Sequence, residues 1–562
     1  MIVFAAALAI TNSNVEAGMN DDWSFVRTVH DLALSGHLTY NGWSAPLIGF
    51  QAWWGALFVR VFGFSFLVVR ASSWVLTLAG IPVLERLLRR VGASGGQAFF
   101  GVCTFLLSPL ILPNLATFMT DMPAFLLFAA ALLTALKAWE SEALKWPLAT
   151  AVLSMLSGSV RQIYWLAGVS FLVVLFFAKL RSRRARLVIA SCIGLIAVFG
   201  AWCSLWLQRQ PYVPADITAL AWRQTSWTVI ANFSLDDVIR DLVGLSVLCL
   251  PFTLPFWWLK KRPIRMWAEV SILLVSAALP LLFGQPAPWL GNTITGDGVT
   301  LSGTLSLGEK PAVMSHHGML LLALLGAASS AQAGYEIALR LRRRRLIELL
   351  TSSGLGRMAA LTIPFSAGYL MVLAVRAPAF GLYDRYMIPL LFIGIAACLG
   401  VCARLKPRVS SVSLAAGAIF ALYAIATTHD YFADARAKLE ATDRILATGA
   451  PREAIISGFE FDLWTQTEKT GHINNKLVQY PAGAYRQMED CNGDDDVDAW
   501  WRPMAPALRA HYVVSLSPFT SLRPVFAPVV YQRWVPFGKG RVYVGKVGDG
   551  EPLLTCGPES GE

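Results

Sequence analysis

Between residues 65 and 427 the chain is a succession of continuous apolar runs separated by short polar breaks. A helix needs about 20 mostly apolar residues to cross a bilayer. The runs near 65–85, 97–116, 121–139, 187–207, 241–259, 267–283, 318–338, 355–376, 386–403 and 410–427 come close to that length. Hydrophobic residues make up 55% of the chain and charged residues only 15%, and mean hydropathy is +0.53. That balance excludes a soluble globule, a disordered chain, a disulfide-knit secreted domain and a fibre. The runs do not alternate polar with apolar, so an outer-membrane barrel is excluded too. The class that remains is an all-α polytopic membrane bundle.

The stretch 147–178 is apolar except at Arg161 and Gln162. As one helix it would be about 48 Å long with an arginine at its middle. A pair of short helices turning at Arg161-Gln162 is cheaper. The basic clusters support the pair. Arg86/Arg89/Arg90, Lys179/Arg181/Arg183/Arg184/Arg186, Lys260/Lys261/Arg262/Arg265, Arg340/Arg342/Arg343/Arg344/Arg345 and Arg404/Lys406/Arg408 all fall on one side only if 147–178 is a hairpin. That side is then cytoplasmic by the positive-inside rule. With a short first run at Ile2–Ile10, the count is about thirteen helices. The net charge of +11 belongs to these loops, and no basic face or stacking motif points to nucleic acid.

The opposite side carries the loops 12–64, 208–240 and 284–317 and the tail from His429. The domain reading is a membrane domain over 1–428 and a small extracytoplasmic α/β domain over 429–562. Ala454-Ile455-Ile456, His511-Tyr512-Val513-Val514 and Arg541-Val542-Tyr543-Val544 read as its strands. Six cysteines lie in or beside apolar helices and suit packing. Cys491 and Cys556 lie in the outer domain, where an oxidising compartment favours a disulfide between them. The acidic run Asp490–Asp498 reads as a solvated loop, because a calcium loop would need its glycine elsewhere and a glutamate at the twelfth position.

Three polar signals interrupt the outer face. The first is Asn20-Asp21-Asp22 before a helical stripe of Trp23, Val26, Val29, Leu32 and Ala33. Asn20 can cap that helix and the acids suit its positive end. A second amphipathic helix follows Pro46, with Trp53, Trp54 and Phe58. Two interfacial helices between the first two spans would roof a cavity. The second signal is Thr120-Asp121-Met122-Pro123, a turn that starts a helix and sets a carboxylate against a fully apolar run, where it is costly unless paired or used. The third is Tyr383-Asp384-Arg385-Tyr386 at an outer helix end, where arginine runs against the charge bias. It reads either as a snorkelling residue in an aromatic belt or as a forked phosphate donor. Arg161 is a second outer arginine, and Lys310 and the His316-His317 pair complete the inventory. Adjacent histidines lack metal-ligand spacing on a helix face, so no metal ligands are assigned. A divalent ion is left open as cofactor.

Taken together, Asp21-Asp22, the Thr-Asp-Met-Pro turn at Asp121, the Arg-Tyr-x-x-Pro at Arg385 and the run Gly42-Trp43-Ser44-Ala45-Pro46 resemble the GT-C superfamily of integral-membrane glycosyltransferases. Within it the likeness is to the branch of protein O-mannosyltransferases and lipid A aminoarabinose transferase, over about residues 18–405. The family usually shows Asp-Glu where this chain has Asp21-Asp22, so Asp21 is favoured as the functional acid. The resemblance implies a donor sugar on a polyprenyl phosphate, an acceptor hydroxyl on a glycan, lipid or protein, and inversion at the anomeric carbon. It also implies contact with membrane lipids and a place in the bacterial inner (cytoplasmic) membrane, with the site on the extracytoplasmic face. The implied catalytic set is Asp21, Asp121 and Asp22, with Arg385, Arg161, Lys310 and Tyr386 at the donor phosphate. His37, Tyr40, Gln162, His316 and His317 would line the substrate cavity. The competing class is a flippase or other transporter. It would require polar groups near mid-membrane and paired repeats, whereas the ionisable residues here gather at the two faces.

Overall fold

The computed structural model describes residues 1–43, 45–179, 182–216, 221–223, 226–258, 291–301, 305–342, 353–405, 410–488 and 499–548. The expected run 267–283, the clusters around residues 260–265 and 343–345, the acidic run 490–498 with Cys491, and Cys556 lie outside the described residues.

Ten helices open the chain. They are α1 (Ile2–Thr11), α2 (Asp22–Ser35), α3 (Gly49–Phe62), α4 (Phe66–Arg90), α5 (Gly95–Leu106), α6 (Ile111–Ala116), α7 (Asp121–Glu140), α8 (Lys145–Val160), α9 (Trp165–Ala178) and α10 (Arg183–Gln208). Among the described residues seven helices are long and apolar enough to cross a membrane. These are α4, α7, α10, His316–Glu336, Gly354–Ala379, Asp384–Arg404 and Ser411–Leu446. The pair Trp227–Leu248 and Leu250–Trp257 makes an eighth if it is one span. Shorter apolar helices stand at Ile2–Thr11, Gly95–Leu106 and Gln162–Ala178. The chain is therefore an integral membrane protein, and its spans carry the main core.

The break at Arg161 is present. Arg161 is extended, with φ −134° and ψ 115°, and a single 3-10 turn over Gln162–Tyr164 leads into α9. Gly158 lets the two arms close, since a Cβ there would sit 1.8 Å from Trp165 Cδ1. The run 97–116 departs from expectation. It is two helices, because α5 ends at Leu106 and α6 restarts at Ile111. Pro109 disfavours helical backbone at Ser108, and every residue of α6 is buried.

The apolar stripe of α2 is buried at Trp23, Val26, Val29 and Leu32. Much of it packs on α3 rather than on lipid, in a cluster with Ala52, Ala56, Val59 and Phe118. Away from these two helices, the loops carrying Arg90, Glu140, Glu142, Lys179 and Arg357 come together. Glu140 pairs with both Arg90 and Arg357, and Lys179 with Glu142 at 2.7 Å. The segment 137–145 has two lysines and two glutamates, and its glutamates serve as counter-ions to the basic residues around it.

Helix Ser411–Leu446 has 36 residues, about 54 Å at 1.5 Å per residue, and runs unbroken through residues 428 and 429. Its last turns back a five-stranded sheet of β1 (Ile455–Ile456), β2 (Tyr512–Ser515), β3 (Arg523–Pro524), β4 (Val529–Trp534) and β5 (Phe537–Lys546), in the order β1-β2-β5-β3 with β4 also on β5. Only β1 and β2 run parallel. Val542 and Val544 of β5 meet Ala437, Ala441 and Ile445 of the helix. The three expected strands are present; β3 and β4 were not anticipated.

This sheet domain is bound to the loops at its end of the bundle. The Ile473 N–H donates to Asn41 O at 2.9 Å and Asn475 Nδ2 to Gly42 O at 2.8 Å. Tyr212 N–H donates to Tyr480 O and Leu516 N–H to Leu307 O. The segments around Asn41-Gly42, Tyr212 and Leu307 therefore share one end with the sheet domain.

Candidate active site

At this end the acidic pair divides. Asn20 takes a left-handed backbone, φ 55°, and its N–H donates to Glu460 Oε1 at 2.9 Å. It does not cap α2; Asp21 stands at the cap position with no side-chain cap bond. The Asp21 carboxylate turns away instead. Its Oδ1 accepts from Trp43 Nε1 at 3.0 Å and its Oδ2 from Arg385 Nη2 at 2.9 Å.

Asp121 starts α7 and is buried. Its Oδ1 is bonded to Arg161 Nη1, and its Oδ2 lies 3.9 Å from Arg385 Nε, too far for a hydrogen bond. Arg385 therefore stands between two carboxylates that are 100 positions apart in the chain. Asp121 Oδ2 and Arg385 Nε and Nη1 are buried with no hydrogen-bond partner.

Tyrosines line the cation side. Arg161 lies over the Tyr386 ring at 5.0 Å and Arg376 over the same ring at 5.8 Å, while Arg385 lies over Tyr383 at 5.1 Å. Tyr369 Oη donates to Tyr386 O and fixes the turn. Asp384, one residue away, belongs to the scaffold, accepting from Thr293 N–H and Ile294 N–H.

The other expected residues stand apart, and none is bonded to Asp21, Asp121 or Arg385. Asp22 is fully buried and paired with Arg70 at 2.9 Å. It also accepts from Met19 N–H at 2.6 Å and Phe118 N–H at 3.3 Å. Burial pushes its carboxyl up, against the pull of the Arg70 guanidinium and the two backbone donors. It holds the loop; every oxygen is occupied. Lys310 pairs with Asp434 at 2.7 Å rather than with the arginine cluster, because the loop carrying it lies against the root of the sheet domain. His37 is exposed and bonded to Ser35 O. Tyr40 is buried, donating to Leu47 O at 3.0 Å. Gln162 reaches Ala45 O at 3.5 Å. His316 and His317 sit exposed at a helix start, their rings 5.9 Å apart. Among the described residues no group of three His, Cys, Asp or Glu side chains is placed to hold a metal ion, and the six helix cysteines are free.

Sequence reading missed Arg70, Arg376 and Glu460. Arg70 and Arg376 had a signal, since each is a charge inside an apolar helix near its end. Glu460 had none, because its partner is 440 positions away.

Fold and site together define a polytopic helical membrane protein that gathers two aspartates and three arginines at the mouth of its bundle. No protein-family model matches the chain, and no curated protein does. Among solved structures it is similar to the crystal structure of ArnT from Cupriavidus metallidurans in the apo state, with TM-score 0.41, 15% identity and 97% of each chain covered. It is likewise similar to ArnT from Cupriavidus metallidurans bound to undecaprenyl phosphate, with TM-score 0.42, 14% identity and 97% of each chain covered.

Proposed function

We propose that this protein is a glycosyltransferase that moves a sugar from a polyprenyl phosphate to an acceptor hydroxyl, with Asp21 as general base and Arg385 as the phosphate receptor. The observation that carries the reading is the state of Arg385. It is a buried guanidinium with one nitrogen on Asp21 and two further N–H groups without partners. Buried donors of a native protein are normally satisfied, and charge-assisted bonds to phosphate oxygens are what an arginine fork makes best. The apolar helices below supply a lipid-facing wall for the isoprenoid chain.

On this reading the chemistry is a single displacement. The acceptor oxygen attacks the anomeric carbon, its proton passes to Asp21, the bond from that carbon to the phosphate oxygen breaks, and the polyprenyl phosphate leaves with the negative charge. Arg385 stabilises that charge, with Arg161 beside it, most strongly where water is excluded. Asp121, bonded to Arg161 and near Arg385, keeps both guanidinia in place. Attack opposite the departing phosphate inverts the anomeric configuration.

The site and the sheet domain belong to the extracytoplasmic face on this reading, because the described basic clusters gather away from them. An impermeant thiol reagent should label a cysteine placed at exposed Glu309 from outside and one placed at exposed Arg89 only after lysis. The activity is tested with purified protein and a polyprenyl-phosphate sugar in the absence of any gradient. Release of polyprenyl phosphate that depends on Asp21 supports the reading; a protein that moves the lipid between leaflets and never cleaves it is a transporter.

A further inference from the structure

The hairpin of β4 and β5 lies along helix Ser411–Leu446 and points back toward the part of that helix that crosses the membrane. At the strand ends remote from the turn, Val529 and Val542 cluster with Ala437, Ala441 and Ile445. At the turn, Trp534 N–H donates to Asp430 Oδ1 at 2.8 Å and Val535 N–H to Asp430 Oδ2 at 2.8 Å. The Trp534 ring stacks on His429 at 3.9 Å and 7°. The tip is therefore fixed at the height of residues 429–430, and that height is the edge of the bilayer. A helix of about 20 residues crosses the hydrocarbon core; counted from Ser411, where this helix starts, it ends near Asp430. Leu422 stands about two turns below His429 on the same face of the helix and is exposed, so the lipid-facing stripe leads straight to the tip.

The surface of the tip suits that position. Phe537 is 85% exposed and lies opposite Trp534 in the register. Phe537, Lys539 and Arg541 are alternate residues of β5, so they share one face, and all three are exposed. The Asp430 carboxylate beneath the tip has 14% of its side chain exposed and is bonded to the two N–H groups. An aromatic ring flanked by cations is what the membrane–water interface favours, the ring at headgroup level and the cations on anionic lipid. We propose that this hairpin tip is a finger of the sheet domain that rests in the headgroup layer of an anionic bilayer, with Phe537 lowest and Lys539 and Arg541 facing lipid phosphates. A second copy of the chain fits the tip less well, because two tips meeting would set Lys539 and Arg541 against their own counterparts. The finger gives the sheet domain a second fixed point beside its helix, so the seating of that domain depends on lipid charge. It uses neither Asp21 nor Arg385 and stands independently of the transferase reading.

The test is a depth measurement by electron paramagnetic resonance on the full-length protein in nanodiscs. A nitroxide is attached at Phe537→Cys and, as reference, at Arg523→Cys, an exposed position paired with Lys546 at the other end of β5. Labelled wild-type protein supplies the background from the native cysteines. In nanodiscs containing phosphatidylglycerol, the label at 537 should be open to oxygen and shielded from a water-soluble nickel chelate, while the label at 523 should be open to the chelate. The shielding should weaken in phosphatidylcholine alone. Lys539→Gln should lower the ratio of inserted to withdrawn tip by about fivefold, the worth of one cation near an anionic surface. Equal chelate access at 537 and 523, or the same shielding with and without anionic lipid, overturns the finger. Shielding that grows with protein concentration would mean that a second copy covers the tip, and overturns it too.

Discussion

Asp21 and Asp22 are neighbours in the chain, both partly or fully buried, and both bonded to an arginine, yet the two pairs have opposite characters. Asp22 and Arg70 are wholly enclosed. Arg70 spends its remaining donors on Val15 O at 2.7 Å and Ala17 O at 2.6 Å. Together they lace the loop before α2 to α4. Asp21 and Arg385 keep some exposure, 15% and 8% of their side chains, and Arg385 keeps two donors unassigned. A closed pair contributes its energy to the fold and can bind nothing. An open pair leaves part of its hydrogen-bonding capacity unspent, and that capacity is available to a substrate.

The comparison is broken most sharply at the carboxylates. Asp21→Asn should slow transfer by about 10²–10⁴-fold, the usual contribution of a general base, with no change in melting temperature. Asp22→Asn should leave turnover per folded molecule nearly intact. Equal losses of turnover in the two variants would erase the distinction.

Next in size is Arg70→Met. It strands a buried carboxylate, which typically costs about 3–5 kcal/mol. The prediction is a large drop in denaturation midpoint in detergent, with residual folded protein still active. Undiminished stability would mean that Asp22 and Arg70 do not brace the loop.

Arg385→Lys keeps the charge and loses the fork. Hydrogen bonds to charged groups are worth about 1.5–3 kcal/mol, so transfer should fall by about 10–100-fold, mainly through weaker donor binding. A lysine variant with wild-type kinetics would reduce Arg385 to a point charge.

The last prediction concerns the pH dependence of the sheet domain that supports Trp43. Asp462 is buried and accepts from Trp501 Nε1 and Ser457 N–H, and burial pushes its carboxyl up to about 7 from 3.8. A pKa raised by folding gives stability that is present below the unfolded value and is lost as pH rises through the folded one. Thermal stability of the full-length protein should therefore decline between about pH 4 and pH 7, and Asp462→Asn should flatten that slope. An unchanged slope would assign the pH dependence to another group.

Much of this was legible in the residues. Apolar run lengths located the seven long apolar helices among the described residues, though 97–116 is two short ones, Arg161 marked the hairpin turn, and Asp21, Asp121 and Arg385 stood out as charges at an apolar end. These are local signals, each carried by a residue and its near neighbours. The division between Asp21 and Asp22 was legible only in part, because Arg70 lies 48 positions beyond its partner and leaves no periodic trace. The same holds for Trp43, whose indole tie to Asp21 crosses 22 positions, and for Arg376, which reaches Tyr386 from another helix. The placement of Lys310 was misread for a related reason. A lone lysine in a long loop has many carboxylates within reach, and the fold brought Asp434 to it. Strands β3 and β4 escaped because β3 is only two residues long and β4, Val-Val-Tyr-Gln-Arg-Trp, does not alternate in sequence although its exposure does.

The most direct test is the affinity of a short-chain polyprenyl phosphate for wild-type protein and for Arg385→Ala, measured in nanodiscs on samples of equal melting temperature. If the open arginine is the phosphate receptor, its removal weakens binding by about tenfold to a hundredfold. Equal affinity in the two proteins would show that the phosphate is held elsewhere, and the site built around Asp21 and Arg385 would not be the donor site.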